Sequence, residues 1–216
     1  MIAARRVPRS SGGLSSAAYL GNSGHTTHGT SKSHSATMAE DGILVAVASL
    51  MNSGQYAKPI TCTAKFNGST ATQASFNTTI LSGIYQFVGI YYKEVTAGAY
   101  SINMTLSPGA GGVIGAFGLY GKPKDIVPTL GSFGTAGDNT TVSSTVNIAN
   151  PKSVVVAVGQ ARNIVSSPIY INPRDGGFAL APFSFNYAGS YKFYDAPNGS
   201  TSFSTTGTTI RAAVWA

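Results

Sequence analysis

The stretch from Gly83 to Gly121, GIYQFVGIYYKEVTAGAYSINMTLSPGAGGVIGAFGLYG, restricts this chain more than any other. Three runs in it, Ile84–Lys93, Tyr100–Leu106 and Val113–Tyr120, are rich in β-branched and aromatic residues. Thr96-Ala97-Gly98 and Ser107-Pro108-Gly109 cut the runs apart, which is how antiparallel strands and their turns are written. The stretch reads as a β-meander.

A weaker copy closes the chain. GSYKFYDAPNG from Gly189 to Gly199 echoes GIYYKEVTAG from Gly89 to Gly98, and Ile210–Trp215 echoes Ile114–Leu119. Earlier, Val45–Ser49 matches Val156–Gln160 at an offset of 111, against 100 for the Gly89/Gly189 pair. Two similar halves follow, about 40–121 and 140–216. Each has an apolar face that it cannot cover alone, so the expected fold is all-β: a two-sheet antiparallel β-sandwich, jelly-roll or Ig-like, burying one half against the other. Val45, Val47, Ile90, Ile102, Val156, Val158, Val214 and Trp215 are its expected core.

The composition agrees. In 216 residues there are 26 Gly and 10 Pro, and only 10% are charged, too few for a helical bundle. Ser, Thr and Asn are left to solvate the outer faces, which suits surfaces packed against other subunits. Cys62 is the one cysteine, so no internal disulfide forms. It alternates inward in Ile60–Phe66 and reads as a small hydrophobe, not a nucleophile. The first nine residues lack the apolar centre of a signal peptide, and no run is long enough to span a membrane, so synthesis in a cytoplasm is expected.

Residues 1–39 stand apart: Ser, Gly, Thr and His dominate, and the charges are Arg5, Arg6, Arg9 and Lys32 with no acid. Such a segment cannot offset its own ordering entropy. The expectation is an extended N-terminal arm held by neighbouring subunits through Arg5, Arg6, Arg9, Leu14, Tyr19 and Leu20. Four cations over that length are a weak electrostatic footprint, so nucleic acid is not the expected partner. His25, His28 and His34 lack the frame of a metal site and read as solvated or interface histidines.

After the arm, Glu40-Asp41-Gly42 is a boundary turn, and Ile43–Ser49 is continuous enough for a core strand. Asn67-Gly68 signals a hairpin. Thr70–Thr79 reads as an edge strand or long loop, with Phe76 its one large apolar residue, and Lys122–Pro128 as the crossover between halves. Pro168–Pro173, with proline at both ends, suits an edge strand or loop. Phe178–Phe193 places Phe183, Phe185, Tyr187, Tyr191 and Phe193 at odd positions, so Tyr187, Tyr191 and Phe193 form a candidate sugar-stacking face beside the simpler reading as core.

Catalytic patterns are missing. Glu40, Asp41, Glu94, Asp125, Asp138, Asp175 and Asp195 all fall in or beside turns. Glu94 and Asp195 occupy comparable places in the two halves, but turn carboxylates explain both more simply than a glycosidase pair. There is no nucleophile elbow and no phosphate loop before a helix. Neither an enzyme nor a cofactor is expected. The sequons at Asn67, Asn77, Asn103, Asn139 and Asn198 read as turn composition.

Asp41–Ser49 (DGILVAVAS), Tyr91–Gly98 (YYKEVTAG) and Tyr100–Leu106 (YSINMTL), ending on an alternating strand near Gly121, resemble the β-sandwich modules of tailed-bacteriophage structural proteins. The resemblance covers about residues 40–216. It implies a virion component, tail-associated or decorating the head, whose partners are other virion proteins and copies of itself, with no catalytic residues to carry over. Two further readings stay open: a receptor- or glycan-binding module of a phage tail, and a jelly-roll capsid shell protein with a basic arm.

Overall fold

A computed structural model of the protein describes residues 13–52, 58–81, 83–121, 139–163, 168, 170–182 and 185–215. Its first eight strands are β1 (Leu14–Asn22), β2 (Thr26–Met38), β3 (Gly42–Asn52), β4 (Thr61–Phe66), β5 (Ser69–Thr70), β6 (Thr72–Leu81), β7 (Ile84–Val95) and β8 (Gly98–Gly121). Five more follow: β9 (Asn139–Ile148), β10 (Ser153–Asn163), β11 (Gly176–Leu180), β12 (Phe185–Tyr194) and β13 (Gly199–Trp215). Every pairing among them is antiparallel, and no helix occurs among the described residues. The fold class is therefore all-β, with β1–β8 in one sheet and β9–β13 in the other.

β8 organises the first sheet. Its N-terminal part lies between β2 and β4, with Ser33 and Lys65 on either side of Asn103; its C-terminal part lies between β1 and β3, with Tyr19 and Val45 flanking Phe117. The bend between the two parts falls near Gly112, whose φ is +140°, and a Cβ there would stand 2.2 Å from the Ser49 carbonyl oxygen. Only glycine fits. The expected turn at Ser107–Gly109 is instead the place where one strand of 24 residues changes partners. Pairing with β4 stops at Ser107 and pairing with β3 starts at Gly111, so Pro108 sits where a missing N–H breaks neither ladder.

Because β8 bends, the sheet curls on itself. β7 and β4 are not neighbours in it, yet the Tyr91 hydroxyl donates to the Cys62 carbonyl at 2.9 Å across the enclosed core. Leu44, Phe66, Phe87, Ile102 and Met104 fill that core. Alternate residues of β3 point the other way: Ile43, Val45 and Val47 join Val88, Ile90 and Phe117 against Val158, Phe178 and Tyr187 of the second half. From Ile43 to Ala48 β3 is apolar without a break because both its faces are covered.

The second half repeats this plan. β10 lies between β12 and β13 as β3 lies between β7 and β8, and β9 pairs the first part of β13 as β2 pairs the first part of β8. Asn172 bridges Ser204 of β13 where β4 pairs β8, and Ile171 fills a separate core with Ile148, Ala188 and Phe203. The glycine echo is one residue out of step with this repeat. Val47 faces Ile90 while Val158 faces Gly189, so equivalent positions carry opposite faces under the Gly89/Gly189 alignment. Ile114 corresponds to Trp215, since they oppose Ala48 and Gly159, and not to Ile210.

One expectation needs correction. The arm over residues 1–39 does not reach away in its described part: β1 and β2 are strands of the first sheet, paired to β8. Polar residues hid this, because β2 exposes Ser31, Ser33, Ser35 and Thr37 while Ala36 and Met38 face the core. The expected two-sheet antiparallel sandwich is what the chain forms, and each half also encloses a core besides the one they share. Of the expected core, Val45, Val47, Ile90, Ile102 and Val158 are buried and Val156 is half-buried; the side chains of Val214 and Trp215 lie outside the description, as does the Lys122–Pro128 crossover.

Phe178 keys the halves together. A Cβ on Gly115 of the first half would stand 2.2 Å from its ring, and one on Gly189 of the second 2.5 Å, so the ring lies between two bare backbones. Phe178→Ala should cost about 3–5 kcal/mol. Gly115→Ala should destabilise the wild type but be tolerated in the Phe178→Ala background, as a double-mutant cycle by denaturant unfolding will read. Removing residues 1–39 should abolish cooperative thermal unfolding, because β8 loses two partners; an unchanged melting curve would contradict the pairing.

Candidate interaction surface

The outward face of β2, β8 and β4 is an array with period-2 alternation. Its exposed positions are Ser31, Ser33, Ser35 and Thr37 on β2; Ser101, Asn103, Thr105 and Ser107 on β8; and Thr61, Thr63 and Lys65 on β4. Register sets them in rows: Ser31, Thr105 and Thr63 form one, and Ser33, Asn103 and Lys65 the next. Nine of these eleven are Ser or Thr and one is charged, so the face loses little side-chain entropy and little charge hydration when covered. Thr61 Oγ1 donates to the Ser107 carbonyl at 3.0 Å and Asn103 Nδ2 to Ser101 Oγ at 3.0 Å. Inward residues of the same strands, Cys62, Ala64, Phe66, Ile102, Met104 and Leu106, hold the array on the core.

Lys32 falls on the inward side of the same alternation and carries a charge there. It is 5% exposed, and its ammonium donates to Thr26 Oγ1 and, at 3.1 Å, to the Thr27 carbonyl, tying down the irregular stretch where β2 shifts register. Burial lowers its pKa. The nearby His25 imidazole is held below its ordinary value by burial and by the Lys32 charge. Burial does the same to His34, with the Leu20 carbonyl pulling the other way. Among the described residues no group of His, Cys, Asp and Glu could hold a metal.

The residues proposed for the arm are placed differently from expectation. Leu14 is buried in the cluster between the halves, Tyr19 packs against that cluster with its ring 5.6 Å from Phe117, and Leu20 packs on the core of the first half. They are occupied within their own chain. Arg5, Arg6 and Arg9 lie outside the described residues. The aromatic face is likewise turned inward: Tyr187 is fully buried, and Tyr191 and Phe193 are half-buried against the same inter-half cluster. Burial raises the Tyr187 pKa strongly, which suits a core phenol and not a stacking platform. Odd-numbered alternation along β12 correctly put these rings on one face but could not say that another sheet covers it.

Cys62 is buried, its thiol pushed up to about 11 by desolvation, so it is not a thiolate nucleophile at neutral pH. Three of the described carboxylates serve turns and pairs. Asp41 accepts the Ala97 N–H at 2.9 Å, and Asp195 pairs with Lys152. Asp175 pairs with Lys192 at 2.5 Å and accepts the Phe193 N–H at 2.7 Å. Beside it Arg174 lies 3.6 Å above the ring of Tyr170, which is 41% exposed; no pattern in the sequence marked this surface.

Comparison with protein-family models, with curated proteins and with solved structures found no match.

Partial burial opposes the Asp175 charge, and Lys192 with the Phe193 N–H outweighs it, leaving the carboxyl below its usual range. Its stabilisation is therefore present above the unfolded value of about 3.9 and lost as pH falls through the lower folded value. Asp175→Asn should cost about 0.2–1 kcal/mol at pH 7, as befits a half-exposed pair. The variant should also lack that component of acid destabilisation in unfolding curves from pH 7 to 2.

Proposed function

We propose that this protein is a non-enzymatic structural component of a tailed-bacteriophage particle, attached to tail or head through its β-surfaces. The observation that carries the reading is the neutral Ser/Thr array of β2, β8 and β4. An array with paired backbone and short side chains is suited to burial against another protein, because ordering it costs little and Lys65 is the one charge to be accommodated. The resemblance to phage β-sandwich modules adds to it: the residues that carry the resemblance, Asp41–Ser49, Tyr91–Gly98 and Tyr100–Leu106, fall on β3, β7, β8 and the connections at their ends. Attachment shifts from an arm to folded surfaces, since Leu14, Tyr19 and Leu20 are committed to the chain's own cores.

Thr63→Lys with Thr105→Lys should leave thermal unfolding within about 1 kcal/mol of wild type, since both positions are exposed. The same pair should abolish co-sedimentation of the chain with phage particles from its native host. Particles that lack the wild-type chain, by immunogold electron microscopy, would overturn the reading.

A second reading, binding of a glycan receptor, draws on one observation: the exposed Tyr170 ring with Arg174 stacked on it, next to Asp175 and Lys192. An aromatic face with a fixed fork of donors is what a saccharide needs. Under this reading a glycan array gives a signal that Tyr170→Ala removes; a blank array excludes it.

A further inference from the structure

Sheet edges offer unpaired backbone groups, and folded proteins guard them with bulges, inward charges or brevity. Most described edges here are guarded. β2 has two register shifts and the inward Lys32, β1 has two shifts, β5 has two residues and β11 five. β6 differs. Among the described strands it pairs β7 alone, and from Ser75 to Leu81 that pairing runs without a shift. No residue of Thr72–Leu81 is charged.

This strand also carries two of the three large apolar side chains exposed in the described structure, Phe76 at 56% and Ile80 at 55%. Phe76, Thr78 and Ile80 share one face, Phe76 stacking on Phe87 with ring centroids 6.2 Å apart. The opposite face is closed, Ser75 being buried and Ala74 packed on the cluster between the halves. β9 is an uncharged edge of the same length, but no large apolar side chain is exposed on it among the described residues.

The order of side chains on β6 is self-complementary. An antiparallel neighbour of identical sequence, set with Thr78 opposite its own copy, places Phe76 opposite Ile80 on both sides of the two-fold axis. The result is two aromatic–β-branched pairs flanking a Thr–Thr pair, the cross-strand combinations that stabilise sheets. It is an isologous contact, closed at two chains. The chain's charge of +7 opposes association in general, and β6 brings none of that charge to the contact. We propose that β6 docks a second copy of this chain, joining the two first sheets edge to edge in this register. The inference goes beyond the assembly reading, since it concerns the layer opposite the Ser/Thr array and names the partner.

Full-length protein bearing Thr78→Cys tests it. Paired antiparallel residues stand about 4.5–5.5 Å apart at Cα, within disulfide range, so mild oxidation should give a covalent dimer. The wild type, whose single cysteine is buried, should give none. Sedimentation equilibrium should show Phe76→Lys with Ile80→Lys weakening the dimer by about tenfold or more through opposed like charges. Phe76→Glu with Ile80→Lys, which opposes unlike charges, should recover most of it. Both double variants should still unfold cooperatively, with a modest fall in melting temperature from the lost Phe76–Phe87 contact, and the disulfide test does not depend on them. A dimer insensitive to both pairs, with no disulfide from Thr78→Cys, overturns the β6 assignment and leaves the assembly reading standing. A wild type that stays monomeric overturns the assignment as well, and particles lacking the chain would separately remove the assembly reading.

Discussion

The bend of β8 is the constraint on which the other elements depend. One strand runs through the middle of two layers, pairing β2 and β4 before the bend and β1 and β3 after it. A strand can turn so sharply only where side chains are absent, and Gly109, Gly111, Gly112 and Gly115 occur there. Gly112 has no alternative, given the Ser49 carbonyl against it. Once the bend exists, the sheet encloses a core without needing a second sheet, and Tyr91 can reach across to the Cys62 carbonyl. β13 divides its partners in the same way, between β9 and β10, so the device is used twice.

The contact between halves follows from the faces these curls leave open. β3 and the second part of β8 are apolar on both sides, one side for the first core and one for the second half. Large rings need matching hollows, and here glycine provides them: Gly115 and Gly189 make room for Phe178. Ser49 Oγ, donating to the Gly159 carbonyl at 3.2 Å, satisfies a buried polar group across the same contact. The halves are thus one cooperative body in which the aromatic residues of β12 are structural.

Apart from Phe76 and Tyr170, most described aromatics are buried or half-buried, and the β2, β8 and β4 face meets solvent through hydroxyls. That choice matters for function, since charged groups resist dehydration and long side chains resist immobilisation, and the β2, β8 and β4 array has one of each at most, in Lys65. The guarded edges sharpen the contrast with β6, where apolar side chains stand in water beside unpaired backbone. Asp41 and Asp175 meanwhile accept backbone N–H groups at turns, and burial holds the Cys62 thiol protonated.

Local pattern settled the elements. β-branched alternation and Gly or Asn turns were enough to write β3, β4, β7, β10 and the edge character of β6, because those signals act between neighbours in sequence. The repeat was legible for the same reason, although its register was not: a one-residue shift is invisible in composition yet exchanges core for surface, as the Gly89/Gly189 alignment did. What the tertiary structure decided was everything that depends on a distant partner. β2 reads as a polar arm until β8 lies beside it, since its apolar face is only Ala36 and Met38 with a folded-in Lys32. Tyr187 reads more simply as core than as a stacking face, but alternation only assigns it to a face, and packing between sheets decides what that face touches.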